Sequence, residues 1–266
     1  MNDPGKPRPA SRDGAADSVT AGRHRAAVIT GASSGVGRAL ALQFAATHSP
    51  VVLIGRARER LEAVAHEVHS QGTEAQIELA DFASRPSVAE LAARLEKRLP
   101  AISVLLHSAA EYAGEPVATT SPEALERVLD VNLHAPFVLT RALLPALEAG
   151  SGDIVFINSS VVGQRRAGLS AYGASKAGLL ALADSLRQEV NPLGLRVLSV
   201  FLGATATPMQ AQIHARAAQP YHPEMLLQPS DIAQIVHAAL MLSRSAEVTN
   251  LHLRPATPPL SRRAAG

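Results

Sequence analysis

Cysteine and tryptophan are both absent from this chain of 266 residues. Without cysteine there is no disulfide framework, no thiolate metal site and no cysteine nucleophile. Aromatic residues make up only 3%. Lysine is almost as scarce, occurring only at Lys6, Lys97 and Lys176, so arginine carries nearly all the positive charge. The formal net charge is +2, and the basic residues are scattered, with no run longer than a pair such as Arg165-Arg166 or Arg262-Arg263. That pattern argues against a nucleic-acid partner. No stretch approaches the roughly 20 apolar residues of a membrane span. Residues 1–25 hold Pro, Gly, Asp and Arg with no apolar segment of signal-peptide length, so they read as a disordered tail and the default location is the cytoplasm. Residues 256–266 read as a flexible tail.

Hydrophobic residues make up 47%, enough for the core of one large α/β domain over residues 26–255. Short β-branched runs alternate with longer Ala/Leu-rich segments. Strands are predicted at 26–30, 51–54, 74–80, 102–106, 153–158, 195–201 and 248–253. Helices are predicted at 35–47, 57–70, 84–99, 121–148, 170–190 and 229–242, with kinks at Pro136 and Pro145. The strands are apolar on both faces and separated by helix-length segments. The fold class is therefore α/β, with a doubly wound, parallel, Rossmann-like sheet in a single domain. Residues 205–228 are the least regular segment and read as a lid.

Between the first strand and first helix stands Thr30-Gly31-Ala32-Ser33-Ser34-Gly35-Val36-Gly37. Glycines let the backbone approach a pyrophosphate, and the helix N-terminus offers free N–H groups to it. In this position the segment points to a dinucleotide. A carboxylate ending the second strand would bind the ribose of NAD, but Gly55-Arg56 stands there. A guanidinium clamps a 2′-phosphate, so Arg56 favours NADP(H) over NAD(H). Arg58 and Arg60 read as a solvated helix face.

Tyr172-Gly173-Ala174-Ser175-Lys176 opens the helix after the fifth strand. The i,i+4 spacing places phenol and ammonium on one face. The cation is expected to lower the phenol's pKa and prepare Tyr172 for proton transfer. Asn158-Ser159-Ser160 ends the fifth strand, at the edge where such sheets bind ligands.

With these residues together, the chain resembles the short-chain dehydrogenase/reductase family from about Arg25 to Pro255. The resemblance implies a seven-stranded sheet, an NAD(P)(H) cofactor, a hydride passed between nicotinamide and a carbonyl or alcohol, and a homodimer or homotetramer built on the helices from Ser121 and Ser170. It also implies an Asn-Ser-Tyr-Lys tetrad, here Asn132, Ser160, Tyr172 and Lys176. Spacing to the tyrosine would select Ser159, whereas the local match Ser160-Val161-Val162-Gly163 selects Ser160, the preferred choice. Asn132 would hold a water in a proton relay with Lys176, and Lys176 would bind the nicotinamide ribose. Asp81 would contact adenine, Thr205 the carboxamide and Thr207 the nicotinamide phosphate.

Two segments depart from the family pattern. His107-Ser108-Ala109-Ala110 replaces Asn-Asn-Ala-Gly; there Ala109 stays at the cofactor, Ala110 replaces a flexible glycine, and His107 is expected to pack near the adenosine ribose. Leu202-Gly203 replaces Pro-Gly, which is expected to loosen the turn under the nicotinamide while Gly203 keeps its cofactor contact. These changes keep open a non-catalytic dinucleotide sensor, and an isomerase with a tightly held nicotinamide is a third reading. A substrate pocket is expected from Val161, Gln164, Arg165, Met209, Ile213, Tyr221, His222 and Met225.

Overall fold

The computed structural model describes residues 25–164 and 166–256. The expected tails fall almost wholly outside these residues, as does Arg165. In chain order the main elements are β1 (Ala26–Thr30), α1 (Gly35–Ala45), β2 (Val51–Gly55), α2 (Arg58–Ser70), β3 (Ala75–Leu79), α3 (Arg85–Arg98), β4 (Ile102–His107) and α4 (Pro122–Leu129). They continue with α5 (Ala135–Gly150), β5 (Asp153–Ser159), α6 (Ser170–Val190), β6 (Arg196–Leu202), α7 (Pro208–Arg216), α8 (Pro229–Leu240) and β7 (Asn250–Leu253).

The strands pair in parallel in the order β3-β2-β1-β4-β5-β6-β7. Alternate side chains serve opposite faces. In β1, Ala26 and Val28 join the core beneath α3, α5 and α6, while Ala27 and Ile29 join that beneath α1, α2 and α8. β2 and β5 divide in the same way, with Ile54 and Phe156 on one side and Leu53 and Val155 on the other. Each fully buried side chain of this size contributes about 1.5–3 kcal/mol, which explains why the strands read as unbroken apolar runs. Strand order reverses between β1 and β4, and this reversal opens a crevice at the carboxyl edge of the sheet.

Helix starts follow local chemistry. Ser84 and Ser121 cap α3 and α4 by accepting from the Ser87 and Ala124 N–H groups, with prolines in both first turns. The long helix expected from Ser121 is instead two helices joined by a π turn, Asp130–His134. Pro136 has no N–H, so the carbonyl of Asn132 cannot receive an ordinary i+4 bond, and the preceding turn widens until the Ala135 N–H reaches the Asp130 carbonyl. Helix α5 runs on through Pro145 to Gly150.

The lid segment is also more ordered than expected. It contains α7, capped by the Thr207 hydroxyl, and is tied at its base by a bridge between Thr205 and Leu227. No residue of α7 is buried, so its sequence lacks the apolar stripe that would have marked a helix.

Two polar clusters hold the frame. At the opposite edge of the sheet, Asp153 accepts two bonds from Arg196 at 2.8 and 2.9 Å and one from Arg244 at 2.7 Å. Arg196 also donates to the carbonyls of Leu240, Leu242 and Ala246, closing the end of α8. Beside α1, the Thr47 hydroxyl lies 2.8 Å from His48 Nδ1 and 3.1 Å from His237 Nε2, and Phe44 packs on both rings. Burial, reinforced by the charge of His237, pulls His48 from its ordinary 6.5 down to about 4. Burial takes His107 to about 3. Folded pKa values below the unfolded one mean that the unfolded chain binds more protons as acid is added. This stability is present above pH 6.5 and is lost as pH falls through about 4 and then 3. Melting temperatures measured across that window should fall steeply, and less steeply for a His48→Gln, His107→Gln double variant. Parallel curves for the two proteins would refute the assignment.

Candidate active site

The crevice is a cleft of about 520 Å³ that reaches from the Gly31–Gly37 turn to Tyr172 and Lys176. At one end the backbone forms a cradle. Gly31 has φ +67°, and a Cβ there would lie 2.8 Å from the Ala109 backbone. A Cβ at Gly37 would lie 2.2 Å from the Gly31 carbonyl oxygen. Both positions exclude a side chain, the first by conformation and both by contact. Thr30 secures the same junction, because its hydroxyl accepts from the N–H groups of Ser108 and Ala109 at 3.0 and 3.1 Å. Only its place directly before the glycine turn marks Thr30 in the sequence.

Ser34 precedes α1 without capping it through its side chain, so the first-turn N–H groups point to an outside acceptor. Arg56 and Arg60 both line the cleft, together with Asp81 and Phe82. Arg60 is thus not simply part of the solvated face, whereas Arg58 is, pairing with Glu62 at 3.8 Å on the surface. The Asp81 carboxylate accepts from the Ala83 N–H at 3.0 Å and shapes the turn after β3. An N–H-rich helix end, a bare glycine surface and two guanidinium groups fit a phosphorylated dinucleotide.

At the other end, β5 and α6 bring the reactive groups together. The Asn158 side chain donates to the Lys176 carbonyl at 3.2 Å and accepts from the Ser159 N–H at 2.8 Å, locking the strand end to the helix. Lys176 is 2% exposed, donates to the Ile157 carbonyl at 2.9 Å, and lies 6.0 Å from the Tyr172 ring centre. Burial lowers its pKa from 10.5 to about 8.

Burial also raises the Tyr172 phenol, and the hydroxyl of Ser159 opposes that rise through a hydrogen bond. Two expectations change here. Burial, rather than the ammonium, dominates the phenol, and it raises it. The serine facing Tyr172 is Ser159, not Ser160, because the strand continues to Ser159 and Ser160 opens the following 3₁₀ turn. Ser160 lines the same cleft, but the Gly163 and Gln164 N–H groups bond to its carbonyl.

Asn132 is fully buried. Its oxygen accepts from the Glu111 N–H at 2.8 Å, and its amide donates to the Glu111 carbonyl and to Ser175 Oγ, both at 2.9 Å. Ser175 in turn donates to the Tyr172 carbonyl at 2.8 Å. Asn132 thus braces two walls of the cleft.

His107 does not reach the cleft. Its ring stacks on Phe156 at 5.0 Å, and Nε2 pairs with Thr140 at 2.8 Å. Ala110 has no positive φ, so losing a glycine there costs no strain. Leu202 does not loosen its turn, since it pairs with Ser159 and Leu253 while Gly203 donates to the Leu253 carbonyl at 2.8 Å. Thr205, Thr207, Gly203 and Ala109 all line the cleft.

Of the expected substrate pocket, Val161, Gln164, Met209 and Ile213 line the cleft. Tyr221 turns away to pack on His214 at 5.4 Å, and His222 and Met225 are not among the lining residues. Glu111, Tyr112, Arg166 and Leu169 line it without having been foreseen.

Residues 25–218 match the short chain dehydrogenase family. The chain belongs to that family of oxidoreductases. It is 35% identical over 217 residues to the uncharacterized oxidoreductase YciK of Escherichia coli, covering 78% of this chain and 82% of that protein. It is 28% identical over 237 residues to the NADP-dependent 3-hydroxy acid dehydrogenase YdfG of Salmonella typhi, covering 86% and 94%. Among solved structures, a short-chain dehydrogenase from Escherichia coli CFT073 in complex with NADPH superposes with a TM-score of 0.77 at 32% identity, covering 86% of this chain and 96% of its own. No helix among the described residues is long and apolar enough to cross a membrane.

Proposed function

We propose that this chain is an NADP(H)-dependent oxidoreductase acting on a carbonyl or secondary alcohol, with Tyr172 as the proton donor and acceptor. The observation that carries the reading is a phenol facing the cleft, with the Ser159 hydroxyl at its oxygen and the Lys176 ammonium beside its ring. When bound, the dinucleotide supplies or accepts the hydride. The chain does the rest. In the reductive direction Tyr172 Oη gives its proton to the carbonyl oxygen as charge develops there, and Ser159 donates a second hydrogen bond to that oxygen. Lys176 provides positive charge under the developing phenolate and hydroxyl contacts for the ribose. Asn132 acts by position, holding Tyr172 through Ser175 and presenting a backbone carbonyl for a water beside Lys176.

Gly31, Ser33, Ser34, Gly35, Val36 and Gly37 hold the pyrophosphate in this reading, Arg56 and Arg60 the 2′-phosphate, Asp81 the adenine, and Ala109, Gly203, Thr205 and Thr207 the nicotinamide half. The relative named as NADP-dependent and the neighbour solved with NADPH support the phosphorylated cofactor. The sensor alternative loses its motive, since Ala110 has no positive φ and Leu202 sits in paired backbone. Exposed Leu125 on α4 and Phe137 on α5 support an oligomer through those helices.

The cofactor reading is tested by titration. The protein should bind NADPH more tightly than NADH, and Arg56→Glu should weaken NADPH by at least about tenfold while leaving NADH little changed. Equal affinity of the unaltered protein for both dinucleotides would remove Arg56 from its role.

A further inference from the structure

Tyr112 lines the cleft beside Tyr172. Its ring lies 5.2 Å from that of Tyr172, tilted by 58°. The Tyr112 ring lies against Gly114, whose missing side chain leaves room for the hydroxyl end of the ring. The preceding residue, Glu111, is clamped through both its N–H and its carbonyl by Asn132. No hydrogen bond to the Tyr112 hydroxyl forms among the described residues, and the residue lines the cleft.

Arg166 reaches the same cleft from the loop after β5. Its guanidinium donates to the Gln164 amide oxygen at 2.7 Å and has no acidic partner among the described residues. The carboxylate at this end, Glu111, is paired with Arg127 at 3.5 Å. Arg216, at the end of α7, adds positive charge that acts on the Tyr112 phenol. The apolar side chains of Val161, Leu169, Met209 and Ile213 line the same cleft.

A guanidinium without a counter-ion and a hydroxyl without an acceptor are both hydrogen-bond donors. Their natural complement is a carboxylate, which accepts two bonds from a guanidinium fork. We propose that the substrate end of this cleft selects a carbonyl compound with a carboxylate beyond an apolar body, read by Arg166 and the Tyr112 hydroxyl. This inference rests on the oxidoreductase reading above.

The test uses the full chain with NADPH and a series of straight-chain oxo-acids, each paired with its methyl ester. The acids should exceed their esters in kcat/KM by about tenfold, chiefly through KM, because the contact lies away from the reacting carbon. Arg166→Ala should cost about tenfold on the acids and far less on the esters, Arg166→Lys should restore part of it, and Tyr112→Phe should weaken the acids selectively. Esters reduced as well as acids, or an equal loss on both with Arg166→Ala, would overturn the proposal. Turnover of esters and neutral ketones with no preference for acids would overturn it while leaving the oxidoreductase reading intact. Failure to oxidise NADPH with any of these carbonyl compounds, with NADPH still bound, would count against both.

Discussion

Tyr172→Phe should lower kcat by about 10²–10⁴-fold, the usual contribution of a positioned acid or base, while NADPH still binds. The substitution removes one oxygen from a ring wedged against Tyr112, and the helix that carries it is held through Ser175 and Asn158 independently of the phenol. Geometry therefore survives and only the proton is lost. Kinetics at saturating cofactor, beside an NADPH titration of the variant, separate the two. Normal turnover in the Phe variant would mean that another group moves the proton. Burial, rather than the nearby ammonium, sets the Tyr172 pKa, and it sets it high. Phenol is the dominant form at neutral pH, which suits donation to a carbonyl in the reductive direction.

Asp153→Ala should cost about 3–5 kcal/mol of stability, the usual effect of leaving a buried charge without its partner. Asp153 is 7% exposed and receives three bonds from two arginines that also hold the carbonyls ending α8 and those of Gly152 and Gly194. Removing the carboxylate strands the Arg196 guanidinium among carbonyls in the low-dielectric edge of the sheet. In a domain of this size the melting temperature should drop by roughly 10 °C. Asp153→Asn, which keeps the shape and some hydrogen bonds, should fall between the two. A melting temperature for the Ala variant within error of the unaltered protein would show that the arginines satisfy themselves elsewhere.

The inner strands were legible because both faces of the sheet are buried there, so β1, β2, β4 and β5 read as largely apolar runs, whereas the edge strands β3 and β7 carry polar residues. The glycine turn was legible because it must fall between a strand and a helix. Tyr172 and Lys176 share a face by helical spacing alone. What escaped is what depends on contacts distant in sequence. Tyr112 lies far from Tyr172 along the chain and meets it only because β4 and β5 are neighbours in the sheet. Arg60 was assigned to solvent because helix spacing cannot tell which way the start of α2 faces. Two serines stand side by side at the strand end, and only the length of β5, one residue beyond the expected end, separates Ser159 on the strand from Ser160 in the following turn. His107 looked polar enough for a site, yet it is packed in the core against Phe156, with Nε2 on Thr140 and Nδ1 buried without a partner.

The π turn at Asp130–His134 sets the phase of the long helical segment that contains it. Each residue of an α-helix rotates the chain by about 100°, so one residue too many in a turn offsets everything that follows by that angle. Upstream, Val128 packs inward; downstream, Leu139, Leu143 and Leu147 face the sheet in regular order. The wide turn reconciles those two registers and, at the seam between them, turns Asn132 inward to Glu111 and Ser175. Insertions or deletions of a single residue are therefore least tolerable here, because they would rotate the leucine stripe of α5 off the sheet while the brace between the two tyrosines was lost.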